Sequence, residues 1–436
     1  MAAKGKTTFY DQKLETLPRG ELEKYQDRRL RKLLQQVLAS NPFYQRKFHA
    51  AGIRKPVPLH RLSDLPFTTK TDIVADQEAH PPFGSNLTFP LESYTRFHQT
   101  SGTTGNPIRW LDTPEGYQSF LEEWKFVYRG AGVGPGDRIF VAFSFGPFIG
   151  FWGAFDAASQ LGALVITGGG QTSEQRLTQI RDLRPNVLVC TPTYALRLAE
   201  IARTMGMDAS KLGARKTIHA GEPGASIPGT RRRIEEAWRA KAYDHCGMTE
   251  VAGYGFECRA QLGPHVNESY FIVEVIDPET TQPVRKGRGE VVLTCLGRTG
   301  SPLIRYRTGD LADVLRKRCA CGRTFALLRG GLLGRADDMI TVRGINVFPS
   351  AIENILRRFP EVVEFQGAVV HQMEMQELVL QLETEGLGEE AHQALLQKII
   401  AEMHTRLQLR PTVEFVPPGT LPRAEMKSRR FRVHPA

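Results

Sequence analysis

Apolar positions recur at helical spacing from Leu30 to Phe48, ending in NPFY, and predict an early amphipathic helix. In the middle of the chain the period switches back and forth. Arg138–Phe145 (RIFVAFSF) and Leu164–Thr167 have strand character, Ser173–Leu183 is helical, and Val187–Cys190 is again a strand. Thr191-Pro192 then opens a helix running to about Thr204. Such alternation predicts an α/β domain with a largely parallel sheet. After about residue 270 the pattern changes. FIVEVIDPETTQPV and GEVVLTCLG alternate apolar with polar positions around turn residues, which predicts antiparallel β structure. A last unit begins near residue 335. It holds an expected capping box of Ser350 and Glu353, strand-like Ala368–Val370 and Leu378–Leu382, a helix near Glu389–Leu407, and a basic tail.

At 436 residues the chain has room for two to four domains, and 41% hydrophobic residues suit a packed core rather than a disordered chain. The net charge of +10 favours anionic partners such as nucleotides, acidic substrates or nucleic acid. With no run of five basic residues and no nucleic-acid motif, an ordinary basic enzyme is the better expectation. The start, MAAKGKTTFYDQK, lacks the apolar segment of a secretory signal, and no apolar run approaches the roughly 18 residues of a membrane span. A cytoplasmic protein without a membrane partner is expected. Six cysteines are too few for a disulfide scaffold.

Candidate chemistry begins at QTSGTTGNPIRW. Gly102 and Gly105 permit positive φ, so successive amides can converge on an anion, and the hydroxyls of Thr100, Ser101, Thr103 and Thr104 add donors. It is not a G-x-x-x-x-G-K-[ST] loop, because no Lys-Ser/Thr pair follows. Its flanks, YTRFHQT and IRWLDT, read as two strands. Taken alone, such a Ser/Thr/Gly loop is more often a solvated turn.

It is not alone. AGEPG spans Ala220–Gly224, DHCGMTEVAG spans Asp244–Gly253, and YRTGDL spans Tyr306–Leu311. GRADDMITVRGINVFPSAIE spans Gly334–Glu353, and LPRAEMKSRRF spans Leu421–Phe431. This ordered set resembles the adenylate-forming superfamily: acyl-CoA synthetases, luciferases and peptide-synthetase adenylation domains. AGEPG, INVFPSAIE and the short chain resemble its phenylacetate–CoA ligase branch. The resemblance covers roughly residues 30 to 432. It implies a large N-terminal α/β domain with parallel sheets plus an antiparallel β subdomain (residues 1–334). A small α+β C-terminal domain (residues 335–436) would be joined to it by a hinge.

The resemblance also implies a reaction and its residues. ATP, with Mg²⁺, would activate a carboxylic acid as its adenylate, and coenzyme A would take the acyl group. Thr100, Ser101, Gly102, Thr103, Thr104 and Gly105 would cradle the β- and γ-phosphates. Glu250 would hold Mg²⁺, a hard cation suited to carboxylate oxygen. Thr249 would donate to the α-phosphate, and Asp310 would accept from the ribose hydroxyls. Gly221, Glu222, Pro223, Asp244 and His245 would border adenine, and Arg335 would contact the nucleotide. Lys427, a compact ammonium on a flexible stem, would bridge acid and α-phosphate. Asp337 would be the hinge, and Gly344 would let the pantetheine arm pass close to backbone. Two departures stand out: Cys246 where relatives carry an aromatic, and Met426 where they carry glycine.

Phe145, Phe148 and Phe151 lie in FSFGPFIGFWGAF (Phe143–Phe155), which suits a flat, apolar acid and equally suits plain core packing. Cys258, His265, Cys319 and Cys321 could form a tetrahedral Cys₃His set, or be three buried thiols beside a histidine. The resemblance favours a structural Zn²⁺ tying two β-hairpins together. Cys190, Cys246 and Cys295 lack such partners. The branch also implies a homodimer. A carrier protein or other acceptor in place of coenzyme A, a non-catalytic nucleotide-binding protein of the same fold, and a nucleic-acid binder remain open as alternatives.

Overall fold

The computed structural model describes residues 8–100, 107–336, 340–342, 345–372, 375–423 and 430–433. One sheet of eleven strands runs through the larger part. At one side Leu164–Thr167, Arg138–Val141, Val187–Cys190, Lys216–His219 and Lys241–Met248 pair in parallel. From Lys241–Met248 onward the neighbours are antiparallel: Ala252–Glu257, Pro264–Val266, Leu327–Arg335, Tyr306–Leu315, Arg288–Cys295 and Phe271–Ile276. The expected parallel sheet and antiparallel subdomain are thus one continuous ladder.

The strand period explains the layers. Ile139, Val141, Val187, Val189 and Ile218 bury one face of the parallel half against the Pro114–Gly130 and Ile149–Gln160 helices. Phe140, Ala142, Leu188 and Ala242 bury the other against Ser173–Leu183, Pro192–Thr204 and Pro228–Trp238. Successive side chains point to opposite faces, so a parallel sheet covered on both sides must be apolar at every position. The antiparallel half packs Val273, Val275, Val291 and Leu293 under Leu30, Leu33, Leu34 and Tyr44.

Three expectations are corrected in detail. The early helix is two, Arg19–Ser40 and Pro42–Ala50. Asn41 breaks it, its side chain accepting the Tyr44 amide at 3.1 Å, and Pro42 takes a first-turn position that needs no N–H. The strand expected over Arg138–Phe145 ends at Val141, where the chain turns through Gly146-Pro147 into the next helix. The capping box at Ser350 does not form. Pro349 starts the Pro349–Leu356 helix with Phe348 as its N-cap, so Ser350 falls inside and donates to the Leu333 carbonyl instead.

The C-terminal part forms a separate small sheet, ordered Thr412–Val416, Met375–Thr384, Val362–Gln372, Phe431–Val433. Its core is its own: Ile352, Leu356, Phe365, Leu380, Leu382, Leu395, Ile399 and Met403. The helix Glu389–Leu407 stands where the apolar period places it. Among the described residues no helix is long and apolar enough to cross a membrane.

Candidate active site

Lys241–Met248 is where the sheet changes character. Its first half, to Asp244, pairs in parallel with Lys216–His219, and from His245 it pairs antiparallel with Ala252–Glu257. Ligands of open α/β sheets bind outside the carboxyl ends of such strands, where the topology switches. The segments at 142–148, 220–227 and 249–251 leave from that edge. Arg96–Gln99 and Arg109–Asp112 pair antiparallel, so the Ser/Thr/Gly segment does join two strands. The Gln99 amide donates to the Pro147 carbonyl (2.9 Å), and Thr100 exchanges two bonds with Ile108 (3.0 and 2.9 Å). Ser101, Gly102, Thr103, Thr104, Gly105, Asp337, Gly344, Met426 and Lys427 lie outside the described residues.

Asp244 is buried, accepts from the Ser226 hydroxyl, and is pushed up by burial to about 6. Behind it, Glu257 receives Arg231 on both oxygens at 2.7 Å and the Asp244 amide at 3.0 Å. Burial outweighs that cation and raises the Glu257 carboxyl to about 7. The backbone approaches closely here: a Cβ on Gly331 (φ +82) would sit 2.3 Å from Ser226. Gly221 also has positive φ (95°), and the Glu222 carboxylate accepts the Thr193 amide at 2.9 Å.

The His245 ring sits 4.4 Å from Trp124, with Nδ1 2.6 Å from the Gly255 carbonyl. Burial lowers it to about 4, so it is neutral near pH 7. Cys246 lies in the other core with Val251, Tyr254 and Val266, and burial raises its thiol far above the usual range.

Thr249 and Glu250 follow this strand. Their carbonyls accept from one guanidinium nitrogen of Arg298, at 2.8 and 3.1 Å. Arg298 in turn pairs with both oxygens of Asp112 at 2.7 Å, and both side chains are 1% exposed. Arg298 lies outside every sequence motif, and Asp112 stands only in the strand flank IRWLDT, with no role given to it. Among the described residues nothing donates a hydrogen bond to the Glu250 carboxylate, which leaves its oxygens available to a hard cation.

Asp310 and Arg335 face each other in register on neighbouring strands. Their charged atoms are 3.7 Å apart, and Tyr254 donates to the other Asp310 oxygen at 2.8 Å. The guanidinium lies over Gly309 (φ +74), where a Cβ would come within 2.8 Å of it.

The phenylalanine run divides. Phe143 is buried and stacks on Phe151 at 3.7 Å, closing the core. Phe145 meets Trp152 at 4.8 Å and Phe155 at 5.8 Å, and both Phe145 and Phe148 stay half-buried.

In the antiparallel half, the ligand atoms of Cys258, His265, Cys319 and Cys321 lie within 4.8 Å of one another, all buried. His265 Nδ1 faces the Phe325 carbonyl at 3.1 Å, while Nε2 lies 3.6 Å from Cys321 Sγ. Three thiols and an imidazole nitrogen oriented by a carbonyl fit a tetrahedral, thiophilic metal ion.

The chain belongs to the AMP-binding enzyme family: the family signature matches residues 60–295, and that of the AMP-binding enzyme C-terminal domain matches residues 344–433. Within it, a phenylacetate–coenzyme A ligase of Thermus thermophilus is 34% identical over 441 residues, 96% of this chain and 97% of that one. The structure of 2-hydroxyisobutyryl-CoA ligase in the postadenylation state, in complex with R3-HIB-AMP, superposes with a TM-score of 0.93 at 31% identity, over 100% of this chain and 94% of that one. The same ligase with 2-HIB-AMP and CoA in the thioesterification state gives 0.74 at 32% identity, over 98% and 92%. Coverage hardly changes, so the lower score reflects a different placement of parts. The arrangement described here is the one like the postadenylation state.

Proposed function

We propose that the protein is an ATP-dependent acid–CoA ligase that works through an acyl-adenylate and releases AMP and pyrophosphate. The observation that carries this is the register of Asp244 with His219, so that the Asp244–Glu250 and 220–224 segments leave neighbouring strands at the switch of the sheet, in a chain of this family. An aromatic acid such as phenylacetate is the substrate. Its support is the half-buried Phe145 and Phe148 beside Phe151 and the phenylacetate–CoA ligase relative.

A carboxylate resists thiol attack because oxide is a poor leaving group. In the first step its oxygen attacks the α-phosphorus and displaces pyrophosphate. Two anions meet, so positive charge must be in place beforehand. In this reading Lys427 spans the acid and the α-phosphate, and Thr249 donates to that phosphate. Glu250 would hold Mg²⁺, which when bound offsets phosphate charge. The Ser/Thr/Gly segment around Thr100 and Gly105 receives the terminal phosphates. Asp310 accepts from the ribose, with Arg335 beside it, and Gly221–Pro223, Asp244 and His245 border the base. In the second step the coenzyme A sulfur attacks the acyl carbon and AMP leaves with its bonding electrons, Gly344 giving the pantetheine arm room. The units are residues 1–334 and 335–436, with Asp337 as the hinge. Cys258, His265, Cys319 and Cys321 would hold Zn²⁺. With four protein donors no position is open to water, so its role is structural.

The test is pyrophosphate release over a panel of aryl and alkyl acids, with and without coenzyme A, beside Lys427→Ala. Turnover should need an aryl acid and coenzyme A, and fall by at least about 100-fold in the variant. Release indifferent to coenzyme A would move the acceptor to a carrier protein or another group. Silence with ATP still bound would leave a nucleotide-binding protein.

A further inference from the structure

The C-terminal unit meets the larger one through side chains, and most converge on two helices, Pro192–Thr204 and Pro228–Trp238. On the second, Arg233 donates to the carbonyls of Arg357 (3.0 Å), Val362 (2.9 Å) and Phe359, capping the end of the Pro349–Leu356 helix. A Cβ on Gly229 would stand 3.0 Å from Arg357 Cβ, so the two surfaces are in close contact. On the first helix the contact is charged. Arg430 pairs with Glu364 at 2.7 Å and with Glu353 at 3.8 Å, within its own unit. Both its terminal nitrogens also reach Thr193 Oγ1 across the junction, at 3.4 Å. Arg423 does the same, pairing with Glu383 at 2.5 Å in its own unit and reaching Glu200 at 3.8 Å in the other.

Two features make this more than a domain contact. The two arginines stand on either side of Lys427 in sequence, four residues before it and three after. Thr193 is also double-ended: its hydroxyl faces Arg430, and its amide donates to the Glu222 carboxylate in the AGEPG segment (2.9 Å). The partners of each arginine belong to different units. Moving one unit against the other would break both sets of contacts.

We propose that Arg423 and Arg430 are positioning residues for adenylation alone: they latch the C-terminal unit to Thr193 and Glu200, and the latch must open before thioester formation. The proposal rests on the ligase reading and on the role given there to Lys427. Neither arginine touches a reacting atom. Both act through the placement of the C-terminal unit against the larger one.

The experiment separates the half-reactions in the full-length enzyme. Acid-dependent ATP–pyrophosphate exchange reports the first, and prepared acyl-adenylate mixed with coenzyme A reports the second. Arg430→Ala and Arg423→Ala should each lower exchange by about tenfold or more, as loss of a buried charge partner does, with the thioester step within about twofold of wild type. Arg430→Lys should recover part of the exchange. Equal losses in both steps, or none in exchange, would overturn the latch. Should the alanine variants fold poorly, Thr193→Val removes only the acceptor and must show the same split, or the proposal is wrong. Wild-type enzyme silent in both steps would instead overturn the ligase reading, which the latch variants alone cannot do.

Discussion

Arg298 holds Asp112 with two nitrogens at 2.7 Å and gives its remaining terminal nitrogen to the carbonyls of Thr249 and Glu250. Burial disfavours a charged Asp112, but Arg298, followed by His98, keeps its carboxyl below the usual range. The pair therefore fixes the backbone of the very turn that carries the two candidate catalytic side chains. Arg298→Met should cost about 3–5 kcal/mol in denaturant unfolding, because it strands a buried carboxylate. Arg298→Met combined with Asp112→Leu should recover much of that stability and none of the activity. Additive losses would show that the two side chains do not act as a unit.

Protein purified without added zinc should carry about one equivalent by metal analysis, four protein donors being the full set for a structural site. Cys321→Ser should abolish it. The consequence reaches further than the cluster. Arg323, between Cys321 and Phe325, donates to the Glu15 carboxylate and the Thr8 carbonyl, and the Thr324 amide donates to the Glu15 carbonyl at 3.0 Å. Metal loss should therefore speed proteolysis around residues 8–17 as well as lower the melting temperature. A metal-free protein with an unchanged cleavage pattern would refute the site.

His219 is fully buried between the Cys190 carbonyl (3.2 Å) and Thr217 Oγ1 (2.8 Å), and burial lowers it from its ordinary value to about 4. The unfolded chain takes up this proton as pH falls through about 6.5, while the folded protein resists until about 4. Stability is thus lost on acidification across that window, by roughly 3 kcal/mol from this group. Asp244 and Glu257, raised to about 6 and 7, pull the other way, losing stability as pH rises toward those values. Comparing wild type with His219→Asn isolates the histidine: the difference in unfolding free energy should shrink as pH drops from 6.5 to 4. A constant difference would refute the assignment.

Local pattern made much of this legible. Leu164–Thr167, Ser173–Leu183, Val187–Cys190 and Glu389–Leu407 end where their apolar period ends. The four candidate metal ligands, 63 positions apart at their extremes in sequence, do meet. What sequence could not give were relations set by tertiary packing. Ser350 and Glu353 have the spacing of a capping box, yet Pro349 takes the first helical position, and Glu353 turns to Arg357, Thr230 and Arg430. Asp112 and Arg298 are 186 residues apart, and nothing local marks either one. Cys246 and His245 are adjacent, but strand alternation sends one to each core, so a motif read as a single string serves two faces.

The strand Lys241–Met248 is hydrogen-bonded in parallel along its first half, to Asp244, and antiparallel on the other flank from His245 onward. In mechanical terms it is a beam clamped at its two ends, by opposite edges. Asp244 cannot slide against the parallel half, nor His245 against the antiparallel half, without breaking a ladder. Among the described residues, no strand of the small C-terminal sheet pairs with the large one. The stiffness of the molecule therefore lies beneath the candidate nucleotide residues, and its compliance at a junction made of side chains. A substitution that softens the junction should alter how often the parts meet, while one that softens the beam should alter where the atoms stand when they do.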